Sequence, residues 1–168
     1  MAYESPSQSD PATDPDADYD YRGGAEHRPD LVIDCATLTG AARVALGTDI
    51  PAAFVNDDTL ATALAAASTA EEDPTWRLPL WAGYESAVDG RTADIDNAGG
   101  EGYGGAILAG LFLQRFLKAG VAGDDPVPGW VHLDMMAWNT KSRPGRPEGG
   151  EAQGLRALFR LLADRYGD

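Results

Sequence analysis

"DLVIDCATLTGAARVALG", residues 30–47, decides how the chain is read. Leu31, Val32 and Ile33 run together without the alternation of a half-exposed strand. Such a run fits a strand covered on both faces, as in an α/β sheet. Thr37, Leu38 and Thr39 then leave the strand, and Gly40 permits a tight turn. A strand exit at a sheet's C-terminal edge is a usual place for a ligand. The following "ARVALG" is too short to assign to helix or strand.

Upstream, residues 1–29 are rich in Pro, Ser and Asp and hold no Leu, Ile or Val. That composition reads as a disordered acidic lead-in, leaving residues 30–168 as the folded α/β unit. Downstream, "AAFVND" (52–57) reads as a strand, and Asp57, Asp58 or Thr59 can cap a helix over "LATALAAASTAEE". "WRLPLW" (76–81) is expected to be extended. "NAGGEGYGGAILAGLFLQRFLKAG" passes from a Gly-rich loop into a helix of about four turns that Gly120 can end. "WVHLDMM" (130–136) is a strand and "NTKSRPGRPEGG" a loop. "EAQGLRALFRLLADRY" closes as an amphipathic helix with Leu155, Leu158, Phe159, Leu162 and Tyr166 at helical spacing.

The 168 residues fit one domain, and an apolar fraction of 43% can supply a core. Twenty-seven acidic against 13 basic residues give a net charge of -14, which argues against nucleic acid or an anionic membrane as partner. Cys35 is the only cysteine, so no intrachain disulfide forms and a reducing, cytoplasmic setting is expected. Within a strand it reads as a packed thiol, not a nucleophile. The start lacks a secretory signal pattern, and "GAILAGLFL" (105–113) is too short to span a bilayer.

Side chains for chemistry are scarce. "GGEGYGG" (99–105) lacks the Gly-Lys-Ser/Thr of a phosphate-binding loop, so a helix entry or small-anion site is the better reading than a nucleotide site. Asp94 and Asp96 would share a face on a strand, as a chelating pair does; on a loop they are turn and cap residues. His132 and Asp134 share one strand face, where a structural hydrogen-bonded pair is expected. Ser68, Ser86 and Ser142 lie in no nucleophile elbow. The residues therefore define a ligand edge with no catalytic set and no metal ligands.

Taken in order, "DLVIDCATLTGAARVALG", "AAFVNDD", "WRLPLW", "ADIDNAGG", "GGAILAGLFLQRF", "WVHLDM" and "NTKSRPGRPEGGEAQGLRALFRLL" resemble the leucyl (cytosol) aminopeptidase family, over about residues 29–166. The resemblance implies the C-terminal portion of an α/β catalytic domain: a partial central mixed sheet flanked by helices, truncated before its metal-binding part. It implies a two-metal exopeptidase, using manganese, zinc or magnesium, that removes N-terminal amino acids from peptides as a homo-oligomer, commonly a hexamer. The family's lysine, aspartate and glutamate ligands and its "NTDAEGR" motif lie upstream of the segment matched by Asp30; residues 1–29 contain no such motif and no lysine. The implied substrate-binding residues are Thr37 and Leu38, through backbone carbonyls, Gly40 at a close approach, and Met136 and Asn139 beside the first side chain. Where the family often reads "HLDIAG", this chain reads "HLDMMA": Met136 narrows the pocket and Ala137 replaces glycine. The isolated chain is expected to be inactive. The alternative is a non-catalytic binding or assembly protein that complements a separate metal-ligand-bearing half; a nucleotide-binding module is a third reading.

Overall fold

Two parallel strands form the spine of the sheet. The computed structural model describes residues 29–97, 102–119 and 126–167. In it β1 (Leu31–Ala36) pairs in parallel with β4 (Gly129–Asp134), from Leu31 opposite Gly129 to Ala36 opposite Asp134. β2 (Ala52–Val55) runs antiparallel along the other side of β4, and the two-residue β3 (Trp76–Arg77) extends β2 in parallel. The order β1-β4-β2-β3 makes the expected mixed sheet. A small hairpin of β5 (Trp138–Asn139) and β6 (Gly149–Gly150) follows β4.

Helices cover both faces. α2 (Asp58–Ala70) and α4 (Leu155–Tyr166) pack over Ala53, Val55, Val131 and Leu133 through Leu60, Leu64, Ala157 and Leu161. α1 (Gly40–Leu46) and α3 (Gly105–Ala119) cover Ala52, Phe54 and Trp130 through Ala42, Ala106 and Leu117. This two-sided burial is why the strands read as continuous apolar runs. Gly110 lets α3 close on the sheet: a Cβ there would stand 2.8 Å from the Phe54 ring. A 3-10 helix over Ala82–Val88 leads towards α3.

Local chemistry starts the helices. Asp57 accepts from the Leu60 N–H at 2.7 Å and caps α2, one of the three expected positions. The undecided "ARVALG" is helical because Thr39 caps α1 through Ala42 N–H. Residues 78–81 of the expected extended segment lie outside β3, and Trp76 and Trp81 are exposed. The lead-in and part of "GGEGYGG" fall outside the described residues.

Two expectations are corrected. α4 begins four residues late, and its buried side is Ala157, Leu158 and Leu161; Leu155, Phe159, Leu162 and Tyr166 are exposed, Phe159 by 72%. The helix packs in the same cluster as α2 through Ala157, Leu158 and Leu161. Cys35 is not packed: it is exposed on β1, which forms one end of the sheet among the described residues.

Gly154, at φ +78, provides no side-chain cap for α4. The buried Asp73 does so instead, accepting from the N–H groups of Gly154, Arg156 and Ala157 at 3.1, 2.9 and 3.4 Å. Truncating it strands three donors at a helix start. Asp73→Ala should cost about 2 kcal/mol in urea unfolding, at the upper end for a lost cap; a midpoint unchanged from wild type would contradict this role.

Candidate functional site at the strand exits

The ends of β1 and β4 are tied together by one carboxylate. Asp134, 2% exposed, accepts the Thr39 N–H with both oxygens at 3.2 and 3.1 Å. It also accepts the Thr39 hydroxyl at 2.6 Å, whose oxygen accepts from Ala42 N–H at 3.0 Å. Both directions of the hydroxyl are therefore used. Met135 N–H donates to the Ala36 carbonyl at 2.9 Å. Thr37 and Leu38 are exposed between these fixed points. Leu38 forms one wall of a cavity of about 410 Å³, with Thr39, Val88, Asp96, Leu108 and Phe112 among the others.

His132 and Asp134 do share a face, but they do not pair with each other. His132, fully buried, bonds through Nδ1 to the Asp34 carboxylate, which also accepts Trp130 Nε1–H at 2.7 Å. Among the described residues His132 Nε2 has no hydrogen-bond partner. Phe54 and Trp130 stack near it at 5.9 and 6.0 Å. The expected His132–Asp134 pair is thus corrected: the partner of His132 is Asp34 on β1, which strand periodicity within β4 does not show.

The segment after β4 is built differently from its sequence reading. Ala137 has φ +53, in the left-handed region that L-residues disfavour. Its N–H donates to Gln153 Oε1 at 2.9 Å, and its carbonyl accepts from Glu151 N–H at 3.0 Å. Asn139 is buried and donates from Nδ2 to the Pro147 carbonyl at 3.0 Å and to the Glu151 carboxylate. Met136 is half-buried, and neither residue lines the cavity beside Leu38. At Gly40 an added Cβ would meet nothing within 4 Å, so the close approach expected there is not made by the described residues.

The remaining candidates separate. Asp94 and Asp96 flank an isolated bridge between Ile95 and Asp89, not a strand, and Asp96 reaches the cavity wall. The Ser68 hydroxyl pairs with Thr75 at 2.8 Å, and Ser142 accepts from Glu148 N–H. Among the described residues no three His, Cys, Asp or Glu side chains gather where a metal ion could sit. The Cys35 thiol is raised in pKa, first by partial dehydration against the protein and then by the Asp34 carboxylate. The sequence reading placed Asp134 beside His132 and did not single out Gln153; it found neither the Asp134–Thr39 nor the Gln153–Ala137 link. Thr39, three residues before Ala42, carried a capping signal for the first.

Comparison with known proteins identifies the family. The catalytic domain of the cytosol aminopeptidase family matches residues 17–159. The chain is 44% identical over 142 residues to a probable cytosol aminopeptidase of Caulobacter vibrioides, covering 83% of this chain and 27% of that protein. A probable cytosol aminopeptidase of Roseiflexus castenholzii is 41% identical over 141 residues, 82% of this chain and 27% of its own length. The chain thus spans about a quarter of the length of these curated relatives. Among solved structures, a cytosol aminopeptidase from Coxiella burnetii superposes with TM-score 0.77 at 45% identity, over 87% of this chain and 30% of its own. The bottromycin maturation enzyme BotP, also solved in complex with Mn, superposes with TM-score 0.73 at 37% identity, over 86% and 31% of the two chains.

Two measurements follow from the site geometry. Left-handed backbone costs an L-residue roughly 1–2 kcal/mol, while glycine loses up to about 1 kcal/mol more entropy on folding. Ala137→Gly should therefore stabilise the chain by about 0.5–1 kcal/mol in urea unfolding; destabilisation would mean that the Ala137 methyl contributes more than its strain costs. At Cys35 a raised pKa leaves less thiolate at a given pH. Alkylation by iodoacetamide, followed by mass spectrometry, should be slower at pH 7.5 than for an unhindered peptide thiol and still climb above pH 9. A rate already level by pH 8 would contradict it.

Proposed function

The chain belongs to the cytosol aminopeptidase family, and from that premise we propose that residues 29–167 form the substrate-facing wall of a peptidase that removes N-terminal amino acids from peptides. One observation carries the reading. The Thr37–Leu38 exit is exposed yet held at both ends, by the Ala36–Met135 bond and by Asp134 on Thr39. Main-chain carbonyls there are acceptors suited to a substrate's amino group, and rigid placement keeps the ordering cost out of binding. Met136 and Asn139 belong to the second wall, beside the first side chain of the substrate. Gly40 leaves open space next to the exit.

The family's chemistry is read as using two divalent metals, manganese, zinc or magnesium, which activate a water and stabilise the tetrahedral transition state. The described residues do not fit such a centre: no cluster of three ligands forms among them. No catalytic or metal-binding role is assigned to them. The reading therefore takes the chain alone as inactive and the working peptidase as an assembly, homo-oligomeric or joined to a metal-ligand-bearing half. No helix among the described residues is long and apolar enough to cross a membrane; a cytoplasmic setting is part of the proposal.

A second reading, a non-catalytic binding or assembly protein, is favoured by β1. Six residues long and half-buried, it stands at the end of the sheet with its outer side unpaired among the described residues. Such an edge accepts another strand.

Hydrolysis of a leucyl anilide by the purified chain, titrated with manganese and zinc alongside metal stoichiometry, tests both. The expected result is no metal-dependent turnover by the chain alone, with turnover appearing on adding a chain that bears the metal ligands. Turnover by the chain itself with about two tightly held metals per protomer would overturn its inactivity. Binding of the second chain without turnover would favour the assembly reading.

A further inference from the structure

The one non-glycine residue besides Glu72 with positive φ among the described residues is Ala137, and a buried glutamine holds it. Strained backbone persists only where the surroundings over-determine it, and it gathers at functional sites. Gln153 lies just before α4 and spends both ends of its amide. Oε1 accepts Ala137 N–H at 2.9 Å, and Nε2 donates to the Thr48 carbonyl at 2.7 Å. One side chain thereby joins the entry of α4, the segment after β4 and the link between α1 and β2. The Ala137 carbonyl is held in turn by Glu151 N–H, and Glu151 also takes the Asn139 amide.

We propose that Gln153 is a positioning residue that keeps Met136–Asn139 in its strained course and so sets the width of the pocket for the substrate's first side chain. The pocket assignment rests on the function proposed above; the hold on Ala137 does not. Without the amide, Ala137 relaxes towards negative φ, and the peptide planes on either side of it rotate. Met136 and Asn139 then change direction together.

The chain carries three methionines, Met1, Met135 and Met136, so methyl-labelled methionine gives a probe at the site and a control on the neighbouring buried Met135. In the full chain, Gln153→Leu removes the amide at similar volume. The Met136 methyl signal should shift while Met135 stays, and exchange of the Glu151 amide should quicken about tenfold or more, as expected for local loosening. Gly at 137 adopts the same φ without strain, so Gln153→Leu with Ala137→Gly should return Met136 to its wild-type signal. An unmoved Met136 in Gln153→Leu, or no rescue in the double variant, overturns the proposal. If Gln153→Leu fails to fold alone, the double variant carries the test: it should fold with the wild-type Met136 signal, and a double variant equally unfolded overturns the hold. Leucinamide separates the two layers. It should shift Met136 in wild type, several-fold more weakly in Gln153→Leu, and normally again in the double variant. No leucinamide shift, with the metal-ligand-bearing chain added to a wild type whose Gln153–Ala137 coupling is intact, overturns the pocket reading and with it the proposed function of this wall.

Discussion

The Asp34–His132 pair sets the register on which the rest of the sheet depends. The two residues stand directly opposite across the parallel β1–β4 ladder, and Trp130 adds a second donor to the same carboxylate. Both faces of these strands are covered by helices, so hydrophobicity alone distinguishes poorly between one register and the next. Buried polar groups do distinguish them. A one-residue shift of β4 would turn Trp130, His132 and Asp134 towards α2 and α4, away from Asp34 and Thr39. A carboxylate and an imidazole would then lose their partners in the interior, at a cost of several kcal/mol. Register is thus specified by which polar atoms must meet.

That register also places both candidate walls. It brings Ala36 opposite Asp134, so the strands end level and the carboxylate reaches the first residues beyond β1. Thr37 and Leu38 continue one locked strand; Met136 to Asn139 continue the other. The helices then fix what the strands have aligned. Asp134 ties the first wall to α1 through Thr39, and Gln153 ties the second to the start of α4. Asp73 in turn holds that start from the far end of α2. The chain of contacts from sheet to site is short, and each link is a charged or amide group with its hydrogen bonds used.

Much of the fold was legible because local chemistry coincides with tertiary need. "DLVID" is a strand by its unbroken apolar run, although half-buried at the sheet's end, Asp57 announces α2, and "WVHLDMM" gives β4. What was not legible depended on partners far along the chain. Asp134 lies 95 residues from Thr39, and no periodicity within β4 reveals that link. Of the expected α4 stripe only Leu158 is buried, beside Ala157 and Leu161, because helical spacing also marks a second apolar side, Leu155, Phe159, Leu162 and Tyr166, which is exposed. Cys35 was read as packed because its neighbours are apolar, yet exposure is decided by sheet position, and β1 lies at an end.

The scarcity of catalytic side chains acquires a physical meaning on the proposed reading. If the wall acts through the carbonyls of Thr37 and Leu38, the atoms that meet a substrate are the same in every residue type. A search by side-chain chemistry then finds nothing at the surface itself. The specificity of such a wall resides in whatever orients the backbone: buried Asp134 with half-buried Thr39 for one side, buried Gln153 with half-buried Ala137 for the other. Ala137 makes the point most directly. Its methyl offers no chemistry, but its φ of +53 directs the residues on either side, and hydrogen bonds from Gln153 and Glu151 meet its peptide groups there. A wall of this kind is encoded in the residues behind it.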